Sequence, residues 1–256
     1  TIICSQYMGQ KNVKNATDAA KQLIFIITAI AVVLTAVCVV FQIPLLHLIF
    51  GKVEAEVMTN SEVYFLYTAL SFPFIAVFNA GSSVFRAQEN TSLPMTISVI
   101  SNIMNIVGNA ILIFGFHMGV AGVAIATIIA QLLSALGCIV YAVKKNPYFR
   151  LTKENFRPDP ALMKKCLRLG IPFGAQGSLI AFSCVALQSI INRFGSDVIA
   201  AFTATSRIEQ LVQQPYNSLA TALATFAAQN IGAGNPDRVC RGYRKSTLLV
   251  IVFSVI

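Results

Sequence analysis

Residues 23–41 read LIFIITAIAVVLTAVCVVF, nineteen consecutive positions without a charge. As a helix that run rises close to 30 Å, the thickness of the hydrocarbon core of a bilayer. Apolar character continues to Phe50, so the span is read as 23–50. Similar runs cover 63–85, 94–116, 119–143, 169–192 and 199–227, which makes six whole spans. Two shorter apolar ends flank them: Thr1–Met8 reads as the last turns of a helix and Lys245–Ile256 as the first turns of another. A helix left open in lipid would strand its backbone polar groups, so the expectation is a chain truncated at both ends, the middle of a longer transporter-like polypeptide. The fold class that follows is an all-α polytopic membrane protein.

Composition agrees. Of the 256 residues, 56% are hydrophobic and only 11% charged, with a mean hydropathy of +0.71, whereas a soluble domain carries about 25% charged residues. The net charge of +9 does not mark a nucleic-acid binder, because the basic residues sit in short loops and build no continuous basic face. Six cysteines are scattered without a Cys-x-x-Cys pair, and neither histidine lies near them at metal-ligand spacing. They read as small apolar thiols, and no metal or cofactor is expected.

The basic residues orient the spans. Sixteen of the nineteen Lys and Arg fall in loops 1–22, 86–93, 144–168 and 228–245, all on one side; Lys52 and Arg193 fall on the other, and Arg207 lies within a span. The positive-inside rule makes the rich side cytoplasmic, in the plasma membrane. The longest loop divides the chain into part of an N-terminal lobe at 1–143, a linker at 144–168 and part of a C-terminal lobe at 169–256. Within the linker, Asp159 and Pro160 read as N-cap and first helical residue. A short amphipathic helix, on the inner membrane surface or as a solvated connector, is expected to follow. Two stretches suggest related halves: Gln6-Tyr-Met-Gly9 and Gln229-Asn-Ile-Gly232 each follow a span on the same side, 223 residues apart.

Polar groups inside spans are costly, about 2.5–3.5 kcal/mol for a central Asp, Lys or Arg. Span 199–227 holds the most. Thr203, Ser206, Arg207, Gln210, Gln214, Asn217 and Thr221 form one stripe at helical spacing; Thr205, Glu209 and Gln213 form a second. Glu209 reads either as a carboxylate that titrates or binds a cation, with Arg207 tuning its field, or as a member of an ion-pair network. In span 94–116, Ser98, Asn102, Asn105 and Asn109 share a face that could coordinate a cation or a polar substrate, or simply bond a neighbouring helix. Gln176, Ser183, Gln188 and Asn192 mark a third polar face. Pro73, Pro172 and Pro215 fall inside spans, where each is expected to bend its helix. Gly115-x-x-x-Gly119 and Gly170-x-x-x-Gly174 predict close helix approach, while His47 and His117 read as interfacial side chains.

Together these residues resemble the multidrug and toxic compound extrusion (MATE) family of cation-coupled antiporters. The resemblance rests on Gln6-x-x-Gly9, Phe85-Arg-Ala-Gln-Glu-Asn90, Asn105-x-x-x-Asn109 with Phe114-Gly115, Gly119-Val-Ala-Gly-Val-Ala-Ile-Ala-Thr127, Gly170-Ile-Pro172 and Gln229-Asn-Ile-Gly-Ala-Gly234. It implies a pseudo-symmetric two-lobe bundle, V-shaped, of which this chain covers the end of helix 2 to the start of helix 9. It also implies alternating access and exchange of H⁺ or Na⁺ for amphipathic, often cationic compounds, by a monomer among membrane lipids. One branch of the family carries a helix 5 carboxylate in a cation site. This chain has Asn109 there, with Asn105 and Thr127 matching beside it. A second branch carries an acidic residue on helix 7, where this chain has Ile180. Arg207, Gln210, Gln213, Gln214, Asn217, Gln176 and Asn102 are the expected cavity residues. A flippase of lipid-linked precursors would need several cavity cations, and only Arg207 is present. An intramembrane enzyme would need a nucleophile–base pair or metal ligands, and neither motif occurs.

Overall fold

The charge-free run at 23–41 forms the body of a helix that starts ten residues earlier and stops one residue short of its end. The computed structural model describes residues 1–50, 55–145, 159–191 and 194–255. Among them are the helices α1 (Ile2–Gly9), α2 (Val13–Val40), α3 (Gln42–Phe50), α4 (Ala55–Ala87), α5 (Ser92–Ala110), α6 (Gly119–Lys145), α7 (Pro160–Ile191), α8 (Ser196–Gly232) and α9 (Pro236–Val255). A five-residue π-helical segment, Ile111–Gly115, prolongs α5. Lys52, Arg193 and Asn192 and residues 146–158 of the expected linker lie outside the described residues.

Local chemistry explains the boundaries. The Asn12 side chain accepts the Asn15 amide at 3.1 Å and opens α2. The expected span 23–50 is in fact two helices broken at Phe41 (φ −99°, ψ 19°). Pro44 has no N–H for the Val40 carbonyl and its ring crowds that carbonyl, which favours a break there. Pro73 is instead carried inside α4. It leaves the Ala69 carbonyl without its helical donor, and the Thr35 hydroxyl of α2, which shares its single proton with the Ala31 carbonyl at 2.8 Å, reaches that oxygen at 3.0 Å. Asp159 accepts the amides of Ala161 and Leu162 at 2.9 and 3.2 Å. The helix it starts runs unbroken through Pro172 to Ile191, so the short amphipathic linker helix is the first turns of α7 and no separate element. Pro172 lacks a donor for one carbonyl only, and the turns on either side keep the helix going.

Among the described residues, five helices are long and apolar enough to cross a membrane: Val13–Val40, Met58–Ala87, Ser92–Gly115, Gly119–Lys144 and Pro160–Ile191. The sixth expected span lies within α8, whose 37 residues suffice in length but whose polar stripes keep it out of that set.

Contacts group the described residues from 12 to 145 into one compact unit and residues 2–11 with the described residues from 159 to 255 into another. In the first, α4 packs between α2 and α6. The bonds Thr35 to Ala69 and Gln42 to Glu62 share one antiparallel register, since seven residues up one side match seven residues down the other. Small side chains fill the interfaces: Ala19, Ala20, Ala69, Ala80, Ala126 and Ala135 are buried. A Cβ on Gly81 would strike the Cys138 thiol, and Phe85 meets Tyr141 edge-on with centroids 5.8 Å apart. Large apolar side chains point outward instead, with Val40, Ile106 and Phe114 each more than 65% exposed. Small inside and large outside is the packing that suits lipid, where close backbone contact takes over from hydrophobic burial.

In the second unit α1 packs on α8, and the two related stretches meet there. A Cβ on Gly9 would run into the Gln229 carbonyl, and a Cβ on Gly232 into the Gln6 carbonyl. Each glycine thus sits on the backbone of the other stretch at the equivalent residue. Gly234 (φ +74°) turns the chain into α9, with Asn235 N bonded to the Asn230 carbonyl at 2.8 Å. The expected close approaches at Gly115, Gly119, Gly170 and Gly174 are not made among the described residues: a Cβ at any of the four meets nothing within 4 Å. The spacing of small residues permits contact, but a facing backbone must be present to use it.

Candidate functional site

The polar residues of α5 are drawn into order by α6. The two helices pack antiparallel through Ser101 and Ser134, whose hydroxyls lie 2.6 Å apart, and through Gly108, where a Cβ would stand 3.3 Å from that of Ala126. Between these contacts Asn105 Nδ2 donates to Thr127 Oγ1 at 3.3 Å, and Asn109 Nδ2 donates to Asn105 Oδ1 at 3.2 Å. Thr127 passes its own proton to the Val123 carbonyl at 2.8 Å. The relay ends at Asn109 Oδ1, which is buried and accepts no hydrogen bond. A buried carbonyl oxygen without a donor is costly, and such an orphan calls for an explanation. One turn on, the backbone loosens into the π-helical segment, where Phe116 N bonds to Ile111 O at 3.2 Å and Met118 N to Leu112 O at 3.1 Å. Short π segments recur at functional positions because they re-aim side chains within a helix.

The arrangement offers oxygen donors and no titratable group. Hard cations take neutral amide and hydroxyl oxygens as ligands. Asn102, on the same expected face, is exposed and stands outside the relay; Ser98 is half-buried.

On α8 the expected residues are spread along an exposed helix. Arg207, Glu209, Gln210, Gln213, Gln214 and Asn217 are all exposed in this chain, as is Gln176 on α7. Glu209 finds its partner on its own helix, with Gln213 Nε2 donating to Oε1 at 2.9 Å. Pro172 and Pro215 are exposed and Pro73 is half-buried.

Sequence reading missed a cavity of about 430 Å³ in the first unit, lined by Leu46, Asn60, Ser61, Tyr64, Phe65, Thr68 and Val120. The available signal was Asn60, Tyr64 and Thr68 at four-residue spacing, a polar face on the first turns of α4.

Comparison with known proteins decides the family. The MatE family model matches residues 1–111 and 172–256. The chain belongs to the MatE family. It is 28% identical over 238 residues to the probable multidrug resistance protein YpnP of Bacillus subtilis, covering 93% of this chain and 52% of that protein. To the probable multidrug resistance protein NorM of Thermotoga maritima it is 26% identical, covering 100% and 55%. Among solved structures, a multidrug resistance MATE family transporter of the MOP superfamily in an outward-facing conformation superposes with a TM-score of 0.91 at 21% identity, covering 99% of this chain and 56% of that one. A MOP superfamily transporter from Pyrococcus furiosus, described as having a binding pocket of reverse polarity, superposes at 0.88 with 20% identity, covering 99% and 56%. The chain therefore spans about half the length of the relatives it matches. The MatE assignment accounts for the helices apolar enough to span a bilayer, and it makes this a multi-pass membrane protein of a transporter family rather than an enzyme.

Proposed function

We propose that the full-length protein exports amphipathic, often cationic compounds in exchange for H⁺ or Na⁺ by alternating access. The observation that carries this reading is the Thr127–Asn105–Asn109 relay and its unspent, buried oxygen. Amide oxygens coordinate Na⁺ but cannot store a proton, so at this position the coupled ion is Na⁺. Glu209 is the candidate for proton coupling, because it is the carboxylate within the polar stripes of α8. Arg207, Gln210, Gln213, Gln214, Asn217, Gln176 and Asn102 serve as cavity residues. The names of the relatives, multidrug resistance proteins, support export. A lone Arg207 on the stripe does not match the cationic lining that a pyrophosphate-carrying lipid would need. The protein works as a monomer in the plasma membrane, with loops 1–22, 86–93, 144–168 and 228–245 in the cytoplasm.

The test is efflux of a fluorescent cationic dye from proteoliposomes holding the full-length protein, under a sodium gradient and then a proton gradient. Asn109→Ala should abolish the sodium-driven component, and Glu209→Gln the proton-driven one, with expression unchanged. Wild-type efflux in both variants would remove both sites, and no dye movement under either gradient would remove the exporter reading itself.

A further inference from the structure

Asn109 Oδ1 is one of several buried side-chain atoms without a partner in the first unit, and the chemistry of Lys21 is the opposite of the Asn relay. Lys21 was expected in the loop at 1–22. It lies instead inside α2 with 9% of its surface exposed, and its Nζ is buried without a hydrogen-bond partner. Two donors on α4 share that condition: Ser82 Oγ, on a residue 2% exposed, and Arg86 Nε. The register set by Thr35 and Ala69 brings Lys21 level with Ser83. Ser82 is then one residue from that level, and Arg86 lies less than one turn beyond it. Two polar neighbours stand close by in sequence. Arg86 reaches Ser83 Oγ only at 3.5 Å. Asp18, half-buried one turn before Lys21, acts on it through space but accepts no hydrogen bond from it. Buried cations are retained where an anion meets them, since an uncompensated charge away from water is among the costliest features a fold can carry.

We propose that Lys21, Ser82 and Arg86 form a binding site for a phosphate group. Two cations and a hydroxyl, all with unspent protons, match a tetrahedral anion that offers several acceptor oxygens at once. Depth indicates where the phosphate comes from. As a helix of 28 residues, α2 is about 42 Å long, some 12 Å more than a hydrocarbon core. Its charged residues Lys14, Asp18 and Lys21 are confined to the first three turns. The excess length therefore lies at that end, and Lys21, about 12 Å from the helix start, stands at the boundary between headgroups and hydrocarbon. Lipid phosphates occupy that level, although a free phosphate ion would satisfy the same donors.

The full-length protein, delipidated in a mild detergent, distinguishes these cases when dioleoylphosphatidylglycerol, dioleoylglycerol or inorganic phosphate is added back. Native mass spectrometry reads the retained lipid, and thermal melting reads the stabilisation. The site predicts retention of phosphatidylglycerol over dioleoylglycerol and a raised melting temperature. Lys21→Met or Arg86→Gln should each weaken retention about tenfold or more, the scale of one charge-assisted hydrogen bond. Ser82→Ala, a smaller change that keeps both cations, should weaken it less, and the exposed Lys14→Met should leave it unchanged. A melting shift with inorganic phosphate, lost in Lys21→Met and without selective lipid retention, assigns the site to the free ion. Equal retention of the two lipids with no response to phosphate would overturn the proposal, as would identical ligand responses in wild type, Ser82→Ala and Lys21→Met.

Discussion

Alanine at Gly9 or Gly232 should loosen the crossing of α1 and α8, and the two substitutions should not add. An Ala Cβ at Gly9 would lie 2.8 Å from the Gln229 carbonyl carbon and closer still to its oxygen; one at Gly232 would lie 2.8 Å from the Gln6 carbonyl carbon. These are backbone atoms and cannot rotate away, and the oxygen, being the nearer atom, sets the requirement: the helices must part by more than about 1 Å to reach ordinary contact, which forfeits about half of the dispersion energy across the seam. Overpacking of this kind costs about 1–3 kcal/mol. Against it stands the gain of Ala over Gly in a helix, about 0.4–1 kcal/mol. The clash wins, with a net loss of about 1–2 kcal/mol for either variant. Once the helices have parted for one methyl group, the gap already accommodates the second, so the double variant should lose little more than either single one. The coupling should be about 1 kcal/mol, well above the few tenths seen for independent sites. Thermal unfolding of the full-length protein in one detergent reads all four corners of the cycle. Gly170→Ala is the control, because a Cβ there meets nothing within 4 Å and only the helical gain should remain. Two neutral single variants, or two losses that simply add, would refute a shared backbone contact.

Three further outcomes follow from local bonds. Thr35→Val keeps shape but withdraws the hydroxyl from the Ala69 carbonyl. It should cost about 1 kcal/mol in thermal stability and almost nothing in a Pro73→Ala background, where α4 regains its own donor. Asp159→Ala removes the acceptor for two amides at the start of α7; it should cost about 1 kcal/mol and speed hydrogen exchange at residues 161–163 while leaving the α8–α9 turn unchanged. Ser134→Ala removes the bond to Ser101 at a cost of about 0.6 kcal/mol, the average for bonds between membrane helices, and a loss above 2 kcal/mol would mean that the hydroxyl also holds the neighbouring Asn105–Thr127 pair.

Helices were legible wherever apolar length alone defines them, as at 63–85 and 119–143, each of which lies within a single observed helix. The break at Phe41 was less legible. Pro44 is plain in the sequence, yet hydropathy does not register a lost donor, and the run reads through it. Lys21 was placed in a loop because charge usually ends a span; that it instead lies buried in α2 depends on the alanines beside it, which let α4 approach. Asn105 and Asn109 were legible as one face from their spacing. Spacing could not show that Thr127 takes up the far end of the relay, or that Asn109 keeps an oxygen free. The glycine pairs failed for the converse reason. Gly170 and Gly174 have the right period and no facing backbone, whereas Gly9 and Gly232, separated by most of the chain, have one.

The three prolines inside helices are not equivalent, and the difference bears on which elements can bend. Each deprives the carbonyl four residues earlier of its helical donor. At Pro73 that carbonyl, on the buried Ala69, is taken by Thr35 of the adjoining helix, so the defect is bonded to α2 and moving it would break that bond. Pro172 and Pro215 lie where their helices are exposed along this chain, on carbonyls belonging to Arg168 and Leu211. A bare carbonyl at membrane depth is expensive unless water or protein reaches it. Around Pro215 the helix carries Gln210, Gln213, Gln214 and Asn217, side chains suited to polar surroundings. A bend that exchanges one polar partner for another costs little, whereas a bend that opens a dry interface costs a hydrogen bond. Of the three, Pro215 is therefore the position where a bend costs least, and Pro73 is the one that the fold holds still.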